Sequence, residues 1–197
     1  MQQTFDALIN SFIDDQVGIA DNFLGKELAA HLAENLLSLH ADHELRAAGT
    51  GNSAEVLHDK SVRSDKICWL ERANDNPHEA DFFKLMDLFV NHLNSTCYTG
   101  ITGYEFHYAL YEKGSFYKKH MDQFRNNSSR KYSMIMYLNE GWKESDGGEL
   151  CIYTGDTFQK IAPEHGKSVF FKSDELAHEV LMAHKARMSI TGWLKVD

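Results

Sequence analysis

No stretch of this chain approaches the roughly 18 apolar residues that a membrane-spanning helix needs. Its first residues, Met1 to Phe12, are mixed and amphipathic, unlike the basic start and apolar run of a signal peptide. Cysteine is scarce: Cys68, Cys97 and Cys151 are an odd number without paired spacing. That pattern fits a reducing compartment better than a disulfide framework. Each cysteine has apolar neighbours, so all three are expected to be buried as small hydrophobes. Basic residues are outnumbered, 20 Lys and Arg against 29 Asp and Glu, for a net charge of −9. This balance argues against nucleic acid or an anionic membrane as the main partner. Lys118, Lys119, Arg125, Arg130 and Lys131 do cluster, which suits either solvated loop charges or a local basic mouth. Internal repeats, linkers and low-complexity segments are also missing. The expectation is a soluble cytoplasmic protein in which residues 1–197 form one domain. No feature of the sequence sets an oligomeric state.

What is present divides by period. The first 45 residues read as helix, with Phe5, Leu8, Ile9, Phe12 and Ile13 at spacings of three and four. A second stripe runs through Leu28, Leu32, Leu36, Leu37 and Leu39. Residues 47–60 are rich in Gly, Thr, Asn, Ser and charge and read as a mobile loop. Residues 66–70 read as a short strand. Pro77 opens a third helix at a position that suits proline, with Phe82, Leu85, Met86, Phe89, Val90 and Leu93 on one face. Beyond Gly100 the pattern turns to strands at 104–111, 131–138, 148–153, 167–171, 177–182 and 187–194. Helices first and strands later predict an α+β fold, with helices from about 1–95 supporting a β-sandwich or open barrel from about 100–197.

The chemistry concentrates in His120-Met121-Asp122, His178 and Arg187. Two imidazoles and a carboxylate can hold a ferrous ion on one triangular face and leave the opposite face open. Residues two apart on a strand share a face, so His120 and Asp122 can point to one interior. Symmetric pairing about residues 182 and 183 predicts a hairpin with His178 opposite Arg187. Arg187, Ser189, Thr191 and Trp193 then line one inner face. No acidic residue falls on that predicted face to pair with the arginine, and a ligand carboxylate would suit its fork. Alone, each piece has a plainer reading, as a solvated histidine–aspartate pair or a surface arginine. His40 and His43, three apart, read as solvated surface.

From about Val62 to Asp197 the chain resembles the prolyl-hydroxylase branch of the iron/2-oxoglutarate dioxygenases, above all the hypoxia-factor prolyl hydroxylases and their bacterial relatives. The matching stretches are Val62-Arg63-Ser64-Asp65-Lys66-Ile67-Cys68-Trp69-Leu70-Glu71, Tyr117-Lys118-Lys119-His120-Met121-Asp122, Met136-Tyr137-Leu138-Asn139, Gly147-Gly148-Glu149-Leu150, Ser168-Val169-Phe170-Phe171, His178-Glu179-Val180 and Arg187-Met188-Ser189-Ile190-Thr191-Gly192-Trp193. The resemblance implies a double-stranded β-helix (jelly-roll) core with the N-terminal helices packed on one sheet. It assigns Fe(II) to His120, Asp122 and His178, and the 2-oxoglutarate C5 carboxylate to Arg187 with a hydrogen bond from Tyr137. Tyr111, Ile135, Leu150 and Val180 would line the cosubstrate pocket. Arg130 and Trp193 match positions that touch a peptide substrate, and Arg63 and Asp65 match a loop that closes over it. Plain core packing is the competing reading for Tyr111, Ile135, Leu150 and Trp193. Two departures stand out: the segment between Tyr111 and His120 is shorter and lacks a proline, and residues 44–61 follow no assignable pattern.

The activity implied is hydroxylation of a prolyl residue in a protein, using dioxygen and converting 2-oxoglutarate to succinate and carbon dioxide, with ascorbate as a candidate reductant. Family relatives that halogenate lack the carboxylate found here as Asp122. A free amino acid or other small molecule is the alternative substrate; it calls for a closed cavity, whereas a peptide calls for an open groove beside residues 44–66. A non-catalytic sensor of iron or 2-oxoglutarate is a third reading, and the intact ligand set argues against it. A zinc hydrolase is weaker still, because the chain has no His-Glu-x-x-His.

Overall fold

The computed structural model describes residues 1–49, 59–123 and 128–196. Arg125 and most of the expected 47–60 loop therefore lie outside the described residues. Among the described residues, three α-helices, α1 (Gln2–Asp15), α2 (Lys26–Ala41) and α3 (Pro77–Cys97), accompany eleven strands. The strands are β1 (Val17–Ala20), β2 (Arg46–Ala47), β3 (Lys66–Trp69), β4 (Gly103–Tyr111), β5 (Tyr117–His120), β6 (Arg130–Tyr137), β7 (Leu150–Thr154), β8 (Thr157–Ile161), β9 (Ser168–Lys172), β10 (His178–Val180) and β11 (Arg187–Lys195). They form a seven-stranded sheet, ordered β1-β9-β6-β11-β4-β3-β2, and a four-stranded sheet, ordered β5-β10-β7-β8. This is the expected jelly roll. None of the described helices is long and apolar enough to cross a membrane.

The large sheet has two different faces. In β4, β6 and β11 the even-numbered side chains Phe106, Tyr108, Leu110, Met134, Met136, Ile190 and Leu194 pack against the helices, in one core with Leu8, Leu32, Leu36, Phe82, Met86 and Phe89. The odd-numbered Ala109, Tyr111, Ile135 and Tyr137 join a second core with Leu150, Ile152, Ile161 and Val180 of the small sheet. The register preserves this parity: Arg187 lies opposite Tyr111, and Ser189 lies opposite both Ala109 and Tyr137. A one-residue slip would exchange the faces. Gly192 fixes the register further, because a Cβ there would lie 2.1 Å from the Glu105 carbonyl oxygen. At the start of α3, the Asn76 side chain accepts hydrogen bonds from the backbone N–H groups of His78 and Glu79, with Pro77 in the first turn.

Three expectations need correction. The first 45 residues are not all helical, because β1 separates α1 from α2 and pairs with β9. His178 and Arg187 are not hairpin partners: β10 pairs with β5 and β7 in the small sheet, while β11 pairs with β4 and β6 in the large one. The intervening residues keep to β7 first, Leu181 N–H bonding to the Glu149 carbonyl and Gly148 N–H to the Met182 carbonyl, before the chain crosses to the other sheet. The cysteines also differ from expectation. Only Cys151 is buried; Cys68 is half-buried and Cys97 is exposed on the last turn of α3.

Candidate metal and cosubstrate site

Pairing within the small sheet brings the two metal-type histidines together, because His120 at the end of β5 is the register partner of His178 on β10. Asp122 follows β5 by two residues. Its Oδ1 is 3.4 Å from His120 Nε2 and its Oδ2 is 3.5 Å from His178 Nε2. One ligand atom from each of the three lies within 4.8 Å of the others, and no other cluster of this kind occurs among the described residues. His120 Nδ1 lies 2.8 Å from the Lys118 carbonyl oxygen, and His178 Nδ1 lies 3.2 Å from that of Leu176. A carbonyl only accepts, so each Nδ1 carries the proton and each Nε2 is left free to ligate. The Tyr117 ring stacks on His120 at 3.5 Å and Phe171 meets His178 edge-on at 4.9 Å, which fixes both imidazoles.

Ser133 and Ser173 complete this corner, and sequence reasoning missed both. Ser133 Oγ donates to Asp122 Oδ2 at 2.7 Å and lies 2.9 Å from Ser173 Oγ. Their one signal is parity, since Ser133 is an odd-numbered β6 residue like Ile135 and Tyr137. Burial opposes ionisation of Asp122, but His178 and His120 more than offset it and hold the carboxyl well below the usual range. Burial pushes His120 below its ordinary value, with His178 adding to the effect. Burial pulls His178 down too, yet Asp122 raises it overall. Two imidazoles and an ionised carboxylate, each held by an outer contact, are a donor set that fits Fe(II).

Arg187 lies on the facing sheet, 1% exposed. Its Nε donates to the Gly148 carbonyl at 2.8 Å, while Nη2 is buried without a hydrogen-bond partner among the described residues. Gly148 is required there: its φ is +69° and a Cβ would meet the Arg187 Cδ at 3.0 Å. The guanidinium lies between the rings of Tyr111 at 4.8 Å and Tyr137 at 5.0 Å. The Tyr137 hydroxyl is likewise buried, and apart from its approach to the Arg187 guanidinium it has no partner among the described residues. Burial raises the pKa of both phenols, against the opposing charge of Arg187, so both keep their protons. A buried guanidinium without a carboxylate is costly, and an unpaired Nη2 beside the Tyr137 phenol fits a ligand carboxylate.

One cavity of about 1360 Å³ is lined by His120, Asp122, His178 and Arg187 together. Tyr111, Ile135, Leu150, Val180 and Trp193 also reach its wall. Tyr137 stands behind the guanidinium instead, and Asp65 behind Arg63, whose Nε and Nη2 it accepts at 2.8 and 2.6 Å. Arg63 also covers the Tyr117 ring at 4.2 Å. Arg130 is held by Glu105 Oε1 at 2.8–2.9 Å and lies 3.4 Å over the Trp193 ring. The cavity does not end at the metal corner. It runs past Trp69 to Glu44, Arg46, Gly49 and Val62, and to Glu79 at the start of α3. His40 belongs to no metal-type cluster among the described residues; its Nε2 lies 3.6 Å from Glu112 Oε1.

The model of the 2OG-Fe(II) oxygenase superfamily matches residues 106–195. The human prolyl hydroxylase EGLN3 is 28% identical over 194 residues, covering 88% of this chain and 75% of that protein. Among solved structures, a Pseudomonas putida prolyl-4-hydroxylase is 31% identical, covers 98% of this chain and 99% of its own, and superposes with a TM-score of 0.86. A prolyl hydroxylase from Trichoplax adhaerens, solved with a hypoxia inducible factor peptide fragment, shares the fold at a TM-score of 0.86 and 22% identity, covering 98% of this chain and 90% of its own.

Proposed function

The chain belongs to the 2OG-Fe(II) oxygenase superfamily, and from that premise we propose that it hydroxylates prolyl residues of a peptide or protein. His120, Asp122 and His178 hold Fe(II) through two Nε2 atoms and the carboxylate. Arg187 binds the C5 carboxylate of 2-oxoglutarate through its fork, with Tyr137 donating a hydrogen bond. Tyr111, Ile135, Leu150 and Val180 shape the cosubstrate pocket. The bound iron supplies dioxygen activation coupled to oxidative decarboxylation of 2-oxoglutarate, with release of succinate and carbon dioxide. The protein's own work is orientation: Ser133 fixes the Asp122 carboxylate, the Lys118 and Leu176 carbonyls fix the imidazole tautomers, and buried aromatic walls exclude water. Ascorbate is the proposed reductant of iron that oxidises without product. The working location is the cytoplasm, and residues 1–197 act as one domain.

The observation that carries this reading is the convergence of three metal-type side chains and an anion-seeking Arg187 in one cavity. A peptide is favoured over a free amino acid because the cavity continues well beyond the metal corner, beside residues 44–49 and 62–63. Arg130, Trp193, Arg63 and Asp65 are the proposed substrate-side residues, Asp65 acting by holding Arg63. The test is succinate formation with Fe(II) and 2-oxoglutarate, with and without proline-containing peptides, followed by mass spectrometry. The expected result is peptide-dependent succinate and one added oxygen on a proline. Coupled turnover that never oxidises proline refutes the prolyl assignment. His120→Ala and Asp122→Ala are expected to lose turnover while keeping the fold; wild-type activity in both refutes the metal assignment.

A further inference from the structure

His107 is a buried, titratable side chain on the cavity wall that the chemistry above does not use. It shares the cavity face of β4 with Ala109 and Tyr111, opposite Thr191 on β11 and Trp69 on β3. The residue is 3% exposed, and its Nδ1 lies 3.0 Å from the Tyr108 carbonyl oxygen. That carbonyl can only accept, so Nδ1 carries the proton and Nε2 is a bare acceptor. No hydrogen-bond partner meets Nε2 among the described residues. Desolvation pushes the pKa down to about 4, so the ring is neutral at working pH. Two indoles hold the imidazole: Trp69 edge-on at 5.1 Å and Trp193 tilted at 5.7 Å.

Trp193 supplies the complement. It is 8% exposed, and its Nε1–H is buried without a hydrogen-bond partner among the described residues. A donor and an acceptor therefore sit on adjacent rings of one wall, and the buried indole donor is costly to leave unpaired. A backbone amide offers the reverse set, an N–H to give and a carbonyl to accept. A carboxylate would face the Nε2 lone pair. We propose that His107 is a specificity-determining residue that accepts a hydrogen bond from a backbone amide N–H of the substrate, with the Trp193 indole N–H donating to a peptide carbonyl. This rests on the peptide-substrate reading.

The test uses the full chain with Fe(II) and 2-oxoglutarate, on the proline-containing synthetic peptide that gives the highest succinate rate. Each amide N–H flanking the proline is replaced, one at a time, by an ester oxygen. One ester should raise the wild-type peptide KM about tenfold with little change in kcat. His107→Phe, which keeps a ring but no acceptor, should raise the KM of the parent peptide by a similar factor and be insensitive to that same ester. His107→Gln, which restores an acceptor, should recover part of the loss. A His107→Phe peptide KM within twofold of wild type overturns the inference. So does a His107→Phe enzyme that remains fully sensitive to every ester. If no peptide stimulates the wild-type protein, the prolyl reading fails and this inference with it, while succinate formed without peptide still reports an intact iron and 2-oxoglutarate site.

Discussion

The two faces of the large sheet are made by the same strands, and they are built on opposite principles. On the helix face, Phe106, Tyr108, Met134, Met136 and Ile190 are buried against aromatic and aliphatic side chains, and Tyr108 finds Asn35 at 3.0 Å. On the cavity face, one residue along each strand, lie Arg187, Tyr137, Trp193, His107 and Ser133. Three of the five buried side-chain atoms that lack a hydrogen-bond partner among the described residues belong to Arg187, Tyr137 and Trp193. The helix face holds one such atom, Ser168 Oγ opposite Met136, whereas the cavity face holds three, left for a ligand to satisfy. A native protein tolerates unpaired buried donors where function requires them, and the packed face compensates in stability.

This contrast breaks first at Arg187. Truncating one partner of a buried charged pair costs about 2–5 kcal/mol, so Arg187→Ala should raise the 2-oxoglutarate requirement by roughly thirtyfold to several thousandfold. An unchanged Michaelis constant for 2-oxoglutarate would remove that role. On the opposite face, Phe89 is fully buried and packs on Phe5, Phe23 and Phe170. Phe89→Ala should cost about 3–5 kcal/mol in unfolding free energy, with succinate turnover per folded molecule near wild type. If it instead changed the 2-oxoglutarate requirement, the separation of the two faces would be wrong. Ser133→Ala removes the donor to Asp122 and should weaken iron affinity by about 10- to 100-fold, read from an Fe(II) titration of activity, with little loss of stability.

A smaller effect is carried by acid. His107 is neutral when folded, pushed to about 4, and titrates near 6.5 when unfolded. Below pH 6.5 the unfolded chain takes up the proton that the folded one refuses, so stability falls as pH drops from 6.5 toward 4. The loss is at most about 3 kcal/mol, at about 1.4 kcal/mol per pH unit. His107→Gln should lose less stability than wild type over that interval in urea melts at pH 7, 6, 5 and 4. Parallel curves for the two proteins would contradict the burial of a neutral imidazole.

Parity explains how far the sequence could be read. The His-x-Asp pair, His178 and Arg187 are legible as residue types at a family spacing, and the central strands β4, β6 and β9, buried on both faces, read as runs rich in apolar and aromatic residues. The edge strands do not. Four of the five β8 residues are exposed, and β5 is Tyr-Lys-Lys-His with its two lysines exposed, so neither has an apolar period to find. Strand β1 is four residues wedged between helices, too short to interrupt a helical reading. The His178–Arg187 hairpin fails for a different reason. Locally, residues 178–187 look symmetric, but Ala183 bridges to Gly147 and donates to the Ser115 carbonyl, partners far away in sequence. Likewise, nothing local marks Ser133 and Ser173 as the support of Asp122, because their meeting depends on β6 and β9 lying side by side.

The most direct measurement is an anaerobic titration of the metal-free protein with Fe(II) and 2-oxoglutarate, followed by visible absorption. A 2-oxo acid chelated to ferrous iron absorbs where neither component does alone. The expected result is a band that requires both, saturates at one iron per chain, disappears in His178→Ala, and in Arg187→Ala needs far more 2-oxoglutarate. No band in the wild-type protein at saturating iron and 2-oxoglutarate, or superimposable titrations for wild type and His178→Ala, would contradict it.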